Sequence, residues 1–248
     1  MERMADQPIF VRGHLSPRGV AAFQGLLAFL FRLLTHVEVR GLEHLPPSGG
    51  IILSPNHLSL LDAPLILSLL RGRKTTVFAA DTYRHRAFFR WIVEGLDTIW
   101  VQRGAIPPST LKYTMQALRA GNVIGIAPEG TRSPTHTLQK GKSGAVFLAS
   151  STGVPVVPVA LTNLHNVARE LRHFRRARVT VTFGEPMYIP PLNRHDREAK
   201  MEELTTEVMC RIAALLPEEY RGAYAEEARV RELLSVKQPQ GSGGAEGE

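Results

Sequence analysis

The 248-residue chain has little cysteine, no spacing typical of metal ligands and few long apolar runs. Its one cysteine, Cys210, excludes an intramolecular disulfide framework and any zinc site built from several cysteines. The nine histidines show no pattern such as H-E-x-x-H, so no bound metal is expected. Cys210 falls within an apolar helical pattern, and we expect it to lie in the core.

What the chain does have is enough apolar sequence for one sizeable core and an excess of positive charge. Hydrophobic residues make up 44% of it and charged residues 21%, as expected for a single α/β domain of this length. The formal net charge of +7 and the pI of about 9.9 favour anionic partners. A membrane surface, a nucleic acid or a phosphorylated small molecule would all fit.

Two basic segments narrow these options only slightly. Residues 84–92 mix arginine and histidine with large apolar side chains, which suits a membrane surface as well as a solvated helix face. Residues 164–178 carry five arginines, which suit the phosphates of a lipid, a nucleotide or a nucleic acid, or form a solvated helix end.

The first strong apolar pattern, residues 20–34, has helical spacing. It is shorter than the roughly 20 residues of a spanning helix, and Gln24 and Arg32 interrupt it. No convincing signal-peptide cleavage site follows. Such a helix either packs on the core or lies in a membrane interface, and both options remain open. We divide the chain into an N-terminal helical, membrane-associating segment (1–36), one domain (37–236) and a disordered tail (237–248).

Short β-rich segments alternate with helical patterns over residues 50–185, and two helical patterns follow at 196–216 and 218–234. This alternation predicts an α/β fold with a central, mostly parallel sheet flanked by helices, followed by C-terminal helices. The prolines within residues 154–159 favour a strand at the edge of the sheet, or the start of a strand.

His57 and Asp62 lie five positions apart, just after a short buried strand. A neutral imidazole is an effective base near pH 7 when its second nitrogen donates to a carboxylate. Residues five apart on a regular helix are about 140° apart, so the pair has to span a turn and a helix start. Pro64 suits the first turn of that helix, which also gives Asp62 a purely structural alternative as its N-cap or as a residue close to the N-cap.

Polar groups also follow two later strands, at Arg103 and at Glu129 to Arg132. Because the carboxyl ends of parallel strands lie at one edge of a sheet, we expect these loops and the His57 turn to form one site.

Four blocks in this order resemble the 1-acylglycerol-3-phosphate acyltransferase family of glycerolipid acyltransferases. The blocks are Asn56-His57-x4-Asp62, Trp100-Val101-Gln102-Arg103, Pro128-Glu129-Gly130-Thr131-Arg132-Ser133 and Val154-Pro155-Val156-Val157-Pro158-Val159. The chain departs from the family pattern at Asp97, Gln102 and Ala127, where the family often has glycine, aspartate and phenylalanine. These departures leave the implied chemistry intact and weaken the choice of acceptor.

The resemblance implies that His57 is the general base and that Asp62 orients it. It assigns binding of the phosphorylated acceptor to five residues: Arg103, Glu129, Gly130, Thr131 and Arg132. Two lysines nearby are expected to contact anions: Lys140 and Lys142. A salt bridge between Glu129 and Arg132 is the structural alternative for that loop.

The implied activity is transfer of a fatty acyl group from acyl-CoA or acyl-carrier protein to lysophosphatidic acid, giving phosphatidic acid. No cofactor is expected beyond the thioester co-substrate. Expected partners are the lysophospholipid, the thioester donor and an anionic membrane, with no nucleic acid. The expected location is the cytoplasmic face of the membrane, peripheral or monotopic. Another lysolipid or an amino-lipid as acceptor, and a non-catalytic membrane or nucleic-acid binding protein, are the alternatives.

Overall fold

A computed structural model describes residues 10–101, 107–193 and 195–237 of the chain. Its strands are β1 Phe10–Val11, β2 Thr35–Arg40, β3 Ile51–Pro55, β4 Thr75–Ala80, β5 Asp97–Val101, β6 Val123–Gly125, β7 Val156–Thr162 and β8 Ala177–Phe183. Its helices are α1 Pro17–Leu34, α2 Asp62–Leu69, α3 Ala87–Val93, α4 Pro108–Arg119, α5 Gly144–Thr152, α6 Val167–Arg172, α7 Arg197–Ala213 and α8 Ala228–Lys237.

The described strands form one sheet in the order β1-β5-β4-β6-β3-β7-β8-β2. Pairing is parallel except between β1 and β5 and between β7 and β8. The predicted mostly parallel α/β sheet is therefore confirmed. Because β8 is antiparallel to β7, and β2 is parallel to β8, both strands begin at the end of the sheet where β3 and β7 finish. We call this end of the sheet the site edge, and the end where β3 and β7 start the opposite edge.

The core is centred on β3 and β7, which are buried at every position. Both are nearly continuous apolar runs, as expected for central strands covered on both faces. α7 packs on β7 and on α5, and it buries Met209 and Ile212 completely. Cys210 is also fully buried, which confirms its expected place in the core. Burial raises the pKa of its thiol to about 11.

Two expectations about local structure were wrong, the first of them for only one of its two prolines, since Pro155 directly precedes β7. Pro158 lies inside β7, a central strand, where its carbonyl accepts a hydrogen bond from Gly184 N at 2.8 Å, just past the end of β8. Residues 218–234 are not one helix, because Leu138 bonds to this segment: Leu138 N donates to Tyr220 O and Leu138 O accepts from Ala223 N. Two short 3-10 turns, Glu218–Tyr220 and Gly222–Tyr224, precede α8 as a result.

α1 has one packed face and one exposed face. Phe31 and Gln24 are buried, and Gln24 Nε2 donates to Leu70 O beside α2 at 3.2 Å. Phe29 is 60% exposed and Leu33 57%. By length and composition α1 could cross a membrane, although a single helix near the N-terminus is weak support for a span. Of the predicted tail, only Lys237 lies among the described residues, as the last residue of α8.

Candidate functional site

The candidate site begins where β3 ends, at a residue that ties two strands together. Asn56 is buried, and its side-chain amide takes the place of a strand neighbour for Leu161 on β7. Its Nδ2 donates to Leu161 O at 2.9 Å, and its Oδ1 accepts from Leu161 N at 2.7 Å. These bonds fix the point from which His57 leaves the sheet.

His57 and Asp62 meet across the turn that follows. His57 Nδ1 lies 2.6 Å from Asp62 Oδ2, and the same oxygen accepts from Leu58 N at 2.8 Å and Ser59 N at 2.9 Å. The expected contact across a turn is therefore present. Asp62 is the first residue of α2, whose N-cap is Leu61. Asp62 therefore lies next to the N-cap, as one of the alternatives expected, and its carboxylate accepts from N–H groups of the preceding turn rather than from α2 itself.

This geometry selects one tautomer of the imidazole. A carboxylate can only accept, so Nδ1 carries the proton and Nε2 keeps a free lone pair. Asp62 is almost completely buried, whereas the His57 side chain is 31% exposed. The pair can therefore take up a proton from a group that approaches from solvent.

A second loop, residues 126–142 after β6, holds the main chain of His57. Glu129 is buried, and its Oε1 accepts from His57 N at 2.8 Å while its Oε2 accepts from Gln139 N at 3.0 Å. Ser133 N donates to His57 O at 2.9 Å. Both backbone polar groups of His57 are thus bonded to this loop.

Burial raises the pKa of the Glu129 carboxyl above its usual value of 4.5, and the bonds from His57 and Gln139 offset part of this rise. Glu129 forms no salt bridge with Arg132 in the described part of the chain. The structure places this carboxylate against two backbone donors inside the protein, on the side of the loop away from solvent.

The other side of this loop faces solvent and is cationic. Gly130 has a φ of 71°, a left-handed conformation that favours glycine, and the Lys142 side chain lies directly over it. Thr131, Arg132, Lys140 and Lys142 are all exposed. The Arg132 guanidinium has no hydrogen bond or ion pair to any described residue. Arg103 lies outside the described residues.

A stacked histidine pair near the site was not foreseen from the sequence. His165 follows β7, and its ring stacks on that of His136 with centroids 4.0 Å apart. Burial lowers the pKa of His165, and the nearby His136 and Arg169 lower it further. Two isolated histidines with no common motif carry no signal in the sequence. Over the described residues, no group of three or more His, Cys, Asp or Glu could hold a metal.

Comparison with known proteins agrees with this architecture. The family model described as Acyltransferase matches residues 36–162, which include His57, Asp62 and Glu129 to Arg132. A 1-acyl-sn-glycerol-3-phosphate acyltransferase of Borreliella burgdorferi is 28% identical over 132 residues, 52% of each chain. One of Bacillus subtilis is 26% identical over 166 residues, 65% of this chain and 79% of the relative.

A solved structure is also similar, the 1-acyl-sn-glycerophosphate (LPA) acyltransferase PlsC from Thermotoga maritima. It has a TM-score of 0.61 and 26% sequence identity, covering 76% of this chain and 77% of that one. The chain spans about half the length of several curated relatives that it matches, with 52% for the Borreliella protein and 54% for a Bos taurus relative.

Proposed function

Because this chain belongs to the Acyltransferase family, we propose that it moves a fatty acyl group from acyl-CoA or acyl-carrier protein to the free hydroxyl of lysophosphatidic acid. The product is phosphatidic acid. The 2.6 Å contact of His57 Nδ1 with Asp62 Oδ2 carries the proposal, because it leaves Nε2 as a base at the site edge. Relatives named as 1-acyl-sn-glycerol-3-phosphate acyltransferases support the choice of acceptor.

In the proposed reaction, His57 Nε2 takes the proton of the acceptor hydroxyl as its oxygen attacks the thioester carbonyl carbon. The buried Asp62 carboxylate stabilises the imidazolium that forms. When the tetrahedral intermediate collapses, the carbon–sulfur bond breaks and the thiolate leaves. It takes the proton from Nε2, which restores the neutral ring. No covalent acyl-enzyme and no cofactor are needed.

The outer side of the 126–142 loop is the proposed place for the acceptor phosphate. Arginine binds phosphate through a planar fork of donors, and the exposed Arg132 is available for such a contact. Lys142 adds a second cation, and the lack of a side chain at Gly130 makes room for it, since a Cβ there would meet Lys142 Nζ at 2.9 Å. We assign Arg103, Thr131 and Lys140 to the same anion site and Glu129 to holding His57.

The test is an acyl-transfer assay with labelled acyl-CoA and, separately, labelled acyl-carrier protein against a panel of lysolipids. We expect phosphatidic acid to form in preference to other products. A product from another lysolipid or from an amino-lipid would change the acceptor and keep the reaction. Vesicle or nucleic-acid binding without any acyl transfer would replace the enzyme by a binding protein.

We also propose that the segment 1–36 associates with the cytoplasmic face of a membrane through α1, peripherally or as a monotopic anchor. The exposed Phe29 and Leu33 support this, since they lie opposite the face that packs on α2. Phe29→Ser with Leu33→Ser should weaken sedimentation with vesicles without unfolding the protein. The exposed Leu42, which follows β2 at the opposite edge of the sheet, supplies the control Leu42→Ser.

A further inference from the structure

The last residue of α6 and the turn that leads from it to β8, residues 172–176, present the most exposed large apolar side chain among the described residues. Phe174 is 100% exposed and lies between arginines on both sides. We call these residues the Phe174 turn. A fully exposed phenylalanine gains nothing from the core, so its place here calls for another explanation.

The backbone of this turn makes the choice of residue more unusual. Phe174 N donates to Leu171 O and Arg175 N donates to Glu170 O, both at 3.0 Å, which is the hydrogen-bond pattern of a Schellman helix end. Phe174 occupies the position of that motif where glycine is common, with a φ of 55°. A bulky residue is strained there, so glycine would suit the fold of this turn better.

The charges around Phe174 are strongly positive. Residues 169–178 contain five arginines and one glutamate. Glu170 is shared by Arg169 at 3.4 Å and Arg175 at 3.2 Å, while Arg172 and Arg178 are exposed and have no ion-pair partner in the described parts of the chain. An exposed aromatic side chain within a cationic rim matches the chemistry of an anionic membrane surface.

The Phe174 turn also contacts the C-terminal end of α1. Arg176 donates to Arg32 O and to Thr35 O at the C-terminal end of α1, the second bond being 2.6 Å long. Thr35 then pairs with Ala177 as β2 and β8 begin side by side. Leu33 and Leu34, both exposed, lie at this same end of α1. These bonds hold the Phe174 turn at the end of α1 that carries the two leucines.

Sheet topology places this surface at the site edge. Thr162 at the end of β7 pairs with Thr180 on the antiparallel β8, so β8 begins where β7 ends. β3 is parallel to β7 and delivers His57 to that edge. A lipid acceptor would therefore reach His57 from the side of the molecule that carries the Phe174 turn.

We infer that the Phe174 turn is a second membrane contact, in which Phe174 enters the interface of an anionic bilayer while the flanking arginines bind lipid phosphates. Together with α1 it would set the orientation of the site edge toward the bilayer. The exposed leucines beside it favour lipid over nucleic acid, whose phosphates would meet an apolar surface there. This inference rests on the proposed membrane location, but vesicle binding requires no acyl transfer, so the two can fail separately.

Phe174→Gly tests the inference in the full-length protein because it removes the side chain and relieves the backbone strain. Partition onto vesicles of phosphatidylglycerol and phosphatidylcholine in equal parts should weaken about tenfold, because the variant no longer buries the apolar surface of one phenylalanine in the bilayer. The melting temperature should stay the same or rise. If Phe174→Gly lowers the melting temperature, the test uses Phe174→Asn instead, because asparagine also tolerates positive φ.

Tyr188 provides the matched control, since it is an exposed aromatic residue next to Met187, which bridges to Val156 at the opposite edge of the sheet. Tyr188→Ser should leave vesicle binding unchanged. Arg172→Gln should weaken binding to the mixed vesicles about fivefold and leave binding to pure phosphatidylcholine unaltered. Unchanged vesicle binding by folded Phe174→Gly would overturn the inference, and so would loss of binding to a labelled DNA duplex with vesicle binding retained.

Discussion

The two sides of the 126–142 loop differ in how firmly they are held. The inner side, Glu129, Ser133 and Gln139, is bonded to His57 and to the loop itself. The outer side, where Arg132 and Lys142 lie, is exposed, and Arg132 has no partner in the described chain. One short segment thus combines a bonded support for the proposed base with an exposed cationic surface.

This difference suits the roles that we propose for the two sides of the loop. Proton transfer depends on an alignment that is set before the substrate arrives, so bonds to the backbone of His57 are useful in the free protein. A phosphate-binding arginine buried without its phosphate would be strongly destabilising, whereas an exposed one stays hydrated until the ligand comes. Changes on the inner side should therefore reduce kcat, and changes on the outer side should mainly raise the acceptor KM.

The largest effect is expected for His57→Ala, which removes the proposed base. Loss of a general base typically costs about 10² to 10⁴ in rate, and kcat should fall by that factor. The melting temperature should change little because the ring is partly exposed. Steady-state kinetics with lysophosphatidic acid and acyl-CoA provide the measurement. A folded variant that turns over near the wild-type rate would remove His57 from the mechanism.

Asp62→Asn should have a smaller effect, with kcat reduced about 10- to 100-fold. An asparagine oxygen in place of Oδ2 can keep the bonds to His57, Leu58 and Ser59. The amide nitrogen would then replace Oδ1, which is buried without a partner among the described residues. The variant loses the negative charge that stabilises the imidazolium, and its buried amide N–H groups lack an acceptor among the described residues, so the melting temperature should fall as well. If activity is unchanged while helix content is equal to wild type, Asp62 serves the turn alone.

Glu129→Gln should reduce kcat by about tenfold, because the amide nitrogen would face a backbone N–H of His57 or Gln139 and disturb the support of His57. The acceptor KM should stay nearly unchanged, because Glu129 lies on the side of the loop away from solvent. An unsatisfied buried donor costs about 1–3 kcal/mol, so the melting temperature should also fall. Glu203→Gln, at an exposed residue paired with Lys200, is the control. A raised acceptor KM with kcat intact would return Glu129 to direct substrate binding.

The stability difference between wild type and Glu129→Gln should depend on pH in a defined direction. Since the pKa of Glu129 is raised by folding, its contribution to stability is fully present below 4.5 and is lost as pH rises through the raised value. The glutamine variant does not lose stability in this way, because its side chain does not titrate. The difference in melting temperature between wild type and variant should therefore narrow as pH increases from below 4.5.

Much of the scaffold was predictable from local patterns. The alternation of β-rich segments with helical patterns predicted the α/β fold, and the 57–62 spacing predicted a turn with His57 and Asp62 in contact. These features depend on near neighbours in the sequence. The mostly parallel pairing followed from the usual handedness of strand crossovers, whereas the order of the strands in the sheet was not predicted.

The remaining features depend on contacts between distant segments. Glu129 is aimed inward by backbone donors 72 residues before it and 10 residues after it, a pairing that its own motif does not reveal. β1 pairs antiparallel with β5 and has only two residues, so β1 is too short to give a periodic signal in the sequence. The strained Phe174 likewise shows itself only through its φ angle and its full exposure.

The smallest effect is expected on the outer side, for Arg132→Lys. Lysine keeps the charge and loses the planar fork, so one of two parallel bonds to a phosphate oxygen pair would be lost. The acceptor KM should rise about fivefold, and the KM for the acyl donor should stay the same, because only the acceptor would carry the phosphate in question. If the contact tightens as the hydroxyl attacks, kcat falls as well.

The control for this comparison is Arg119→Lys at the end of α4. Arg119 is an exposed arginine that donates to Ser151 O, close to where β6 begins at the opposite edge of the sheet. It should leave both substrate curves unaltered. An Arg132→Lys enzyme with a weakened donor and an unchanged acceptor would place Arg132 on the phosphates of the thioester carrier. No kinetic change in either curve would mean that the outer side of the loop contributes charge without bonding to the substrate, and the contrast between its two sides would then concern the base alone.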